Sequence, residues 1–337
     1  MVMLIDLRSD TVTRPTSSMR EAMGRAELGD DVFGDDPSVT RLEELAAGML
    51  GKEAGMFVPS GTQSNLCALL THCGRGDEYL VGQSAHAYLF EGGGGAVFGS
   101  IQPQPLEQEA DGTLDFKKLA ALVKPDDFHY ARSCLLCLEN TTWGKVLPVE
   151  YLKAVRPFAE KYGLSLHLDG ARIFNAAVAS GLPVSRVAAP FDSVSLCLSK
   201  GLGAPVGSVL VASEDFIKEG KRSRKMLGGG MRQSGLLAAA GIHALENHVE
   251  RLAEDHANAR ALAEGLAEIP GVKVDPVQTN MVFVDVGRHT THLAERMEES
   301  GILISGYTGK KIRLVTHLDI SAKDIEKVLC EFREALI

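Results

Sequence analysis

Two short apolar segments in the middle of the chain each end in a group that can do chemistry. Segment 164–168 (LSLHL) is followed by Asp169, and segment 194–198 (VSLCL) is followed, after Ser199, by Lys200. Both segments have the length of strands, and a glycine follows each charged residue. A carboxylate and an amine at strand ends are typical of a ligand site at the edge of an α/β sheet.

The separation of these two residues supports this interpretation. Lys200 comes 31 positions after Asp169, about the length of one strand–helix–strand unit, which returns both side chains to one edge of a parallel sheet. A lysine in apolar surroundings loses its proton more readily, and the neutral amine attacks carbonyl carbons. The alternative stays open at this point: lysines are commonly solvated, and an Asp before Gly commonly forms a turn.

A second candidate ligand site lies nearer the amino terminus. Segment 55–59 (GMFVP) predicts a strand, and Ser60, Gly61 and Thr62 follow it shortly before the predicted helix 66–73. The free backbone N–H groups and the dipole at a helix start bind anions such as phosphate. Ser and Thr are also ordinary N-cap residues, so an N-cap explains the turn without a ligand.

Composition and charge narrow the class of protein. The chain has 337 residues, 45% hydrophobic and 23% charged, as in ordinary soluble globular proteins. Its net charge of −9 argues against nucleic acid and anionic membranes as partners. The basic run 218–225 (KEGKRSRK) departs from this balance and, taken alone, predicts a solvated helix face.

The six cysteines and the amino-terminal segment indicate the compartment. Cys134 and Cys137 have CxxC spacing, but in a strand they would point to opposite faces, so we expect buried free thiols. No histidine and carboxylate set has metal-ligand spacing, so no metal site is expected. The start lacks a long apolar signal-peptide core, and no apolar stretch is long enough to span a bilayer. A cytoplasmic location is therefore expected.

The remaining pattern alternates helices and strands. Helices are predicted at 37–50, 115–123, 149–162, 235–269, 292–300 and 321–336. Further strands are predicted at 79–81, 134–138, 206–212, 272–275, 280–286, 302–305 and 311–314. We expect an α/β protein with three parts: an arm and helix (1–50), a large domain with a mostly parallel sheet flanked by helices (51–250), and a small C-terminal α+β domain (251–337). The polar residues 1–36 lack helical periodicity.

Longer strings resemble a known family. They are IDLRSDTVTRP, GDDVFGDDPSV, HLDGARIFNA, SVSLCLSKGLGAPVGS and GGGMRQSG. Together they resemble the low-specificity L-threonine aldolases, and the match extends from Asp6 to about Asp319. The D-x-x-R and S-K-G motifs within these strings are similar to those of pyridoxal-phosphate enzymes with the aspartate-aminotransferase fold.

The resemblance implies a fold, a cofactor and a reaction. The fold would be that of the pyridoxal-phosphate-dependent transferases (fold type I), and the cofactor pyridoxal 5'-phosphate. The reaction would be reversible cleavage of L-threonine, L-allo-threonine and other β-hydroxy-α-amino acids to glycine and an aldehyde. Alternatives are another pyridoxal-phosphate lyase or aminotransferase of this fold, or a non-catalytic protein that keeps the fold.

The resemblance also implies roles for the cofactor site. Lys200 would form the Schiff base, Asp169 would face the pyridine nitrogen, and His86 would lie over the ring. Ser60, Gly61 and Thr62 would cradle the phosphate, and Arg172 would contact the cofactor as well as the substrate.

The substrate and subunit roles follow in the same way. Ser9, Arg172 and Arg313 would bind the substrate carboxylate, for which the arginine fork is suited. Lys225 and Arg232 would reach the phosphate of a neighbouring subunit. Active sites would then be shared within dimers, and the expected assembly is a tetramer built of dimers.

The residue that removes the β-hydroxyl proton is left open. His86 and His129 are the candidates by resemblance, and a bound water is the third. The chain also carries Phe33 where relatives commonly have Tyr, and Thr142 and Trp143 where they commonly have His-Asn. A hydroxyl or an imidazole facing the substrate would then be missing, so the resemblance does not determine the preference for the substrate side chain or the choice between threonine and allo-threonine.

Overall fold

The computed structural model describes residues 4–287, 290–306 and 311–336, and residues 1–3 of the expected arm lie outside this part. Helices and strands alternate through most of it. The strands are β1 (Ile5–Asp6), β2 (Ala54–Val58), β3 (Asp77–Gly82), β4 (Gln102–Leu106), β5 (Arg132–Glu139), β6 (Ser165–Gly170), β7 (Ser193–Cys197), β8 (Ser208–Ala212), β9 (Lys273–Val274), β10 (Met281–Asp285), β11 (Ile302–Leu303), β12 (Ser305–Gly306) and β13 (Lys311–Val315).

The helices surround these strands, and a 3-10 turn (Asp10–Val12) lies between β1 and the first α-helix. They are α1 (Ser17–Gly24), α2 (Pro37–Leu50), α3 (Gly61–His72), α4 (His86–Leu89), α5 (Gly94–Gly99), α6 (Phe116–Leu122), α7 (Val149–Tyr162), α8 (Ile173–Ser180), α9 (Val184–Ala188), α10 (Glu214–Met226), α11 (Gly235–Asn247), α12 (Leu252–Ala267), α13 (Thr290–Glu299) and α14 (Ala322–Leu336).

A seven-stranded sheet forms the centre of the molecule. Its order is β2-β8-β7-β6-β5-β3-β4, and β8 is antiparallel to both of its neighbours while the other pairs are parallel. Every residue of β7 is buried, and so are five of the six in β6. Such strands read as continuous apolar runs because helices cover both faces of the sheet.

The ends of the parallel strands bring the predicted chemical groups together. Glu139 at the end of β5 pairs in register with Asp169 on β6, and Asp169 pairs in register with Ser195 on β7. Lys200 follows three residues after β7. Ligands bind at this edge of open α/β sheets.

Local capping signals explain where helices begin. The predicted helix 37–50 is present as α2, with Asp36 as N-cap, Pro37 in the first turn and Gly51 in the left-handed conformation at its end. Ser60 caps α3 by accepting a hydrogen bond from the Gln63 N–H at 3.1 Å.

A second hydrophobic cluster forms around a smaller antiparallel sheet. The order of this sheet is β12-β13-β10-β9, and helices α12 and α14 pack against each other beside it. Strand β1 pairs in parallel with β11, and Ile5 and Leu7 of the arm are buried in this cluster. The arm is therefore part of the C-terminal packing.

Two expectations about secondary structure were wrong. The helix expected over 235–269 is divided into α11 and α12 at residues 248–251, where the His248 ring bonds to the Leu202 carbonyl oxygen at 2.7 Å. The apolar periodicity continues across this break, so it did not reveal the turn. Helix α1 lies in the arm where no helix was expected; it has eight residues, and Met19 alone of them is buried.

We predict that Leu7→Ala destabilises the protein by about 2–5 kcal/mol, because it leaves a cavity in a packed cluster. Leu7 has no exposed surface, whereas Leu4 is 54% exposed. Leu4→Ala is the matched control and should change the free energy of unfolding by less than about 0.5 kcal/mol. Urea-induced unfolding at one protein concentration measures both, and equal effects would contradict the packing of the arm.

Candidate active site

A cavity of about 380 Å³ lies at the carboxyl ends of the parallel strands. Its volume is in the range of small-ligand sites. The arm, the central sheet and the C-terminal unit all contribute to its wall, which consists of Ser9, Thr11, His86, Phe90, Glu139, Trp143, Arg172, Lys200, Met281, Ser305 and Arg313. Five of the predicted site residues are therefore in one place.

Lys200 is held in the cavity by its own backbone. Its carbonyl oxygen accepts hydrogen bonds from the Thr13 hydroxyl at 2.9 Å and from the Gly203 N–H at 2.9 Å. These bonds fix the turn after β7 and leave the lysine side chain in the cavity wall. An amine in this position is available to a carbonyl compound bound there.

Asp169 is almost completely buried at the end of β6. Its Oδ1 accepts the Ala171 N–H at 3.1 Å, and its Oδ2 accepts an N–H of the Asn65 side chain at 2.8 Å. Both oxygens are thereby oriented by fixed donors. Asp169 lies beside the cavity that Lys200 lines, where its carboxylate could pair with a protonated ring nitrogen of a bound cofactor.

The Ser60–Thr62 turn lies at the start of α3, as predicted. The cap bond from Gln63 satisfies the Ser60 hydroxyl, so the ordinary N-cap is present. Ser208 Oγ is buried beside Gly61 and has no hydrogen-bond partner among the described residues. A helix start with an unused hydroxyl next to it fits a phosphate group.

Arg172 is bound to a partner that the sequence did not indicate. Its Nε and Nη2 donate to the two carboxylate oxygens of Asp10, at 2.7 and 2.5 Å. Burial by itself would raise the pKa of Asp10, but the charge and hydrogen bonds of Arg172 outweigh burial and lower this pKa. The ion pair fixes the guanidinium at the cavity wall, with its Nη1 group directed to neither Asp10 oxygen.

Arg313 and Ser9 meet at the cavity from opposite ends of the sequence. Arg313 lies on β13, and its Nη2 donates to the Arg8 carbonyl oxygen at 3.0 Å. Ser9 Oγ accepts the Thr11 N–H at 3.3 Å. Both lie in the wall with Arg172, so the three residues expected to hold a carboxylate are brought together.

His86 also lines the cavity and is held by two acids. Its Nδ1 lies 2.9 Å from Glu91 Oε1, and its backbone N–H donates to Glu139 Oε2 at 2.8 Å. The hydrogen bond to Glu91 raises the pKa of His86 despite partial burial of the ring. With Nδ1 occupied by Glu91, Nε2 remains available to exchange a proton.

His129 does not reach the cavity of its own chain. It precedes β5, which begins at Arg132, whereas the cavity lies at the other end of this strand, where Glu139 lines it. These ends of β5 are about 23 Å apart at 3.3 Å per residue. The ring is exposed and bonds to Asp127 at 2.7 Å. As a base, His129 would have to come from a second copy of the chain.

Lys225 and Arg232 lie outside this cavity and are exposed. Arg232 pairs with Asp30 at 3.0 Å. The segment between them approaches the cradle of its own chain, because the Gln63 side chain donates to the Leu227 carbonyl oxygen at 3.3 Å. Their action on a neighbouring subunit stays a prediction.

The three departures from the family pattern have different surroundings. Trp143 lines the cavity and adopts a φ of 51°, rare for a bulky side chain. Thr142 faces away, because its hydroxyl donates to the Glu139 carbonyl oxygen at 2.8 Å. Phe33 is 77% exposed and outside the wall. Of the three departures, Trp143 is therefore the one that lines the cavity.

Among the residues that the structure describes is a group of possible metal ligands that was not expected. His86, Glu91 and Asp169 each offer an atom within 4.8 Å of the others. The residues are too scattered in sequence to show ligand spacing. In the structure Glu91 bonds to His86, and the Asn65 amide donates to Glu91 and Asp169, each at 2.8 Å.

Sequence reasoning missed several residues of the site. Asp10 and Glu91 do not belong to any apolar or periodic pattern, so nothing in the sequence marks them, and Glu139 was not assigned a role. Asn65 stands in the first turns of α3, and its role depends on which strands the helix covers. Glu139 was the one residue that the sequence could have indicated, because it directly follows the predicted strand 134–138 and ligand sites lie at the ends of parallel strands.

Two further features complete the description. A groove of about 420 Å³ lies between α1, α2 and α11, but its wall contains solvated pairs such as Arg41 with Glu246, so the Lys200 cavity is the better candidate. In the part of the chain that is described, every helix is too short or too polar to traverse a lipid bilayer.

Comparison with known proteins identifies relatives along the whole chain. A family model described as beta-eliminating lyase matches residues 6–289. The chain is 56% identical over 334 residues to the low specificity L-threonine aldolase of Escherichia coli K12, covering 99% of each. It is 46% identical over 345 residues to low-specificity L-threonine aldolase 1 of Arabidopsis thaliana, covering 99% of this chain and 96% of the relative.

Solved structures agree on the fold. A threonine aldolase from Leishmania major superposes with a TM-score of 0.84 at 21% identity, covering 98% of this chain and 99% of the other. A serine palmitoyltransferase from Sphingomonas wittichii gives 0.77 at 18% identity, covering 98% and 87%. The expected α/β fold with a mostly parallel sheet is confirmed. By its sequence relatives, the chain belongs to the low-specificity L-threonine aldolases, within the beta-eliminating lyase family.

Proposed function

We propose that this enzyme cleaves L-threonine, L-allo-threonine and other β-hydroxy-α-amino acids to glycine and an aldehyde, and catalyses the reverse reaction. The observation that carries the proposal is the meeting of the Lys200 amine with two arginines in one cavity beside the buried Asp169. An amine, an anion for a ring nitrogen and a carboxylate clamp are what such chemistry requires of a protein.

Pyridoxal 5'-phosphate is the cofactor we propose for this cavity. Lys200 would hold its carbonyl carbon, Asp169 its ring nitrogen, and Ser60, Gly61 and Thr62 its phosphate, with His86 and Arg172 beside the ring. When bound, this cofactor supplies an electron sink for the charge left on the substrate's α-carbon. The unused Ser208 hydroxyl and the helix start at Gly61 support the phosphate position.

The substrate carboxylate would bind between Arg172 and Arg313, with Ser9 beside them. Arg172 is preorganised for this task because Asp10 holds one edge of its guanidinium. A clamped carboxylate fixes the orientation of the amino acid's α-carbon and thereby determines which bond breaks. Trp143 and Phe90 are the apolar side chains near which the departing aldehyde would lie.

His86 is the base that the geometry favours within one chain. Its Nδ1 bond to Glu91 orients the ring and leaves Nε2 to take the β-hydroxyl proton. Glu139 lies in the same wall and is a further proton carrier, because burial, followed by the charge of Asp169, raises its pKa to about 7. A bound water and His129 of another subunit are the remaining possibilities.

The assembly and location are proposed from less specific observations. Exposed apolar side chains, among them Phe98, Phe128 and Met226, support an oligomer. We propose a tetramer built of dimers, with Lys225 and Arg232 acting on a neighbouring site.

The six cysteines are free thiols, which supports a cytoplasmic location. The division into 1–50, 51–250 and 251–337 also stays a prediction.

A coupled acetaldehyde assay tests the function. We expect purified protein with pyridoxal phosphate to release acetaldehyde from L-threonine and from L-allo-threonine. Lys200→Ala should abolish this release, whereas the exposed Lys118→Ala should retain it. Absence of acetaldehyde from wild-type protein that binds the cofactor would contradict the aldolase and favour transamination or β-elimination.

We predict that His86→Phe lowers turnover of L-threonine by about 10²–10⁴-fold, the loss typical of a missing general base. His243→Phe, which changes a histidine outside the cavity, should leave turnover unchanged. Steady-state kinetics with both variants measure this. Turnover within about twofold of wild type for His86→Phe would exclude this histidine as the base.

We predict that Glu139→Gln changes how stability depends on pH. The folded protein keeps the Glu139 proton up to about pH 7, whereas the unfolded chain loses it near 4.5. Wild-type stability therefore falls between these values as pH rises, by at most about 3 kcal/mol. Glu139→Gln should remove this fall and be more stable than wild type at pH 8.

Urea-induced unfolding of cofactor-free protein at pH 5 and pH 8 measures this effect. The exposed Glu109→Gln is the control and should follow wild type at both pH values. If the free energies of unfolding of wild type and Glu139→Gln differ by the same amount at pH 5 and pH 8, the Glu139 carboxyl does not titrate between these pH values.

A further inference from the structure

A series of polar side chains connects Asp169 with the interior of the protein behind it. It consists of Asn65 and His72 on α3, His167 on β6 and Ser193 on β7. Asn65, His167 and Ser193 are at most 2% exposed, and none of the four residues lines the cavity. Buried polar groups need partners, and these residues satisfy one another in a continuous series.

The spacing of these residues explains why they meet. Asn65 and His72 are seven positions apart on α3, which is about two helical turns on one face. His167 and Asp169 are two positions apart on β6 and so face the same side of the sheet. His167 and Ser193 are directly opposite each other in the register of β6 and β7.

The Asn65 amide sets the direction of the first hydrogen bonds. Its Nδ2 donates to Asp169 Oδ2 and to Glu91 Oε1, each at 2.8 Å, because an ionised carboxylate can only accept. Its Oδ1 must therefore accept, and the group in contact is His167 Nε2 at 3.1 Å. His167 thus carries its proton on Nε2.

The remaining bonds follow from the neutrality of the two imidazoles. Burial lowers the pKa of His167 to about 4 and that of His72 to about 3, so each ring carries one proton at neutral pH. His167 Nδ1 then accepts from the Ser193 hydroxyl at 2.8 Å, and Ser193 Oγ accepts from His72 Nε2 at 2.7 Å. Every hydrogen in the series points towards Asp169.

We propose that His72, Ser193, His167 and Asn65 form a one-directional hydrogen-bond relay that positions Asp169 against the ring nitrogen of pyridoxal phosphate. The proposal rests on the proposed function. Aligned hydrogen bonds polarise one another, so the relay strengthens the last donor to the carboxylate. These four are positioning residues, because they act on the cofactor only through Asp169.

The same relay also organises the His86 side of the cavity. The Asn65 Nδ2 group that holds Asp169 also holds Glu91, and Glu91 bonds to the His86 ring. One amide therefore fixes both the acid proposed to face the ring nitrogen and the acid that orients His86. Loss of the relay should affect cofactor binding more than substrate binding.

The test compares two buried histidines in matched settings. His167 bonds to Asn65 at 3.1 Å, and His256 bonds to Asn175 at 3.2 Å; both are buried, and burial lowers the pKa of each to about 4. Of the two asparagines, Asn65 is the one bonded to Asp169. Both His167→Leu and His256→Leu thus remove a histidine–asparagine hydrogen bond. Only in His167→Leu is the asparagine that loses its partner also bonded to Asp169.

We expect His167→Leu to raise the dissociation constant for pyridoxal phosphate about tenfold, the smaller end of the loss seen when a positioning partner is removed. The pH midpoint of the visible band of the bound cofactor should rise, because a less firmly held Asp169 carboxylate stabilises the protonated ring nitrogen less, and a ring with less positive charge holds the other proton of the bound cofactor more tightly. His167→Gln retains an N–H for Asn65 and should restore both values. His256→Leu should bind cofactor within about twofold of wild type.

Several outcomes would overturn the relay. One is a His167→Leu protein whose dissociation constant and pH midpoint equal those of His256→Leu. If His167→Leu does not fold, Ser193→Ala replaces it, and unchanged values in that variant overturn the proposal equally. Wild-type protein that binds no pyridoxal phosphate would refute the proposed function and the relay together, whereas normal wild-type binding with unaffected variants refutes the relay alone.

Discussion

The buried ion pair between Arg172 and Asp10 determines how the parts of this protein fit together. Arg172 follows the central strand β6, Asp10 belongs to the arm, and the Asn280 side chain donates to the same Asp10 carboxylate at 3.3 Å. Removing one member of such a pair leaves an uncompensated charge in the interior, which costs about 3–5 kcal/mol. The arm, the end of the sheet and the C-terminal unit are thus fixed relative to one another at the cavity.

The charges around the cavity match the ligand that we propose for it. Lys200, Arg172 and Arg313 supply the cations, and Asp169 and Glu91 supply the anions. An amino acid carries both signs of charge, so a cavity with charges of one sign would leave one of its two charged groups without a partner. Each anion is in turn bound by a fixed donor or cation, which keeps the arrangement rigid before a ligand arrives.

The sequence allowed the centre of the fold to be predicted because local signals are strong there. Strands before Asp169 and Lys200 are marked by apolar runs, and α2 is marked by Asp36, Pro37 and Gly51 at its ends. A side chain such as Arg313 was placed at the site only through family resemblance. In its own stretch, KIRLVTH, it reads as an edge-strand charge.

The parts that were not predicted depend on contacts between distant positions. Asp10 is one of several acids in a polar arm, and its partner stands 162 residues later. His129 could be named from resemblance, but its place at the far end of β5 follows from the direction of that strand. The break between α11 and α12 depends on a bond from His248 to the loop after Lys200, which periodicity does not contain.

The pairing of β1 with β11 has a consequence for biosynthesis. Ile5 leaves the ribosome long before its partner Ile302, because almost three hundred residues separate the two strands. Contacts of such large sequence separation form late and slow folding. Asp10 therefore cannot take its final place beside Arg172 until the C-terminal strands exist. The growing chain can build its central sheet before β10 to β13 exist, but the cavity becomes complete only after these strands have been made.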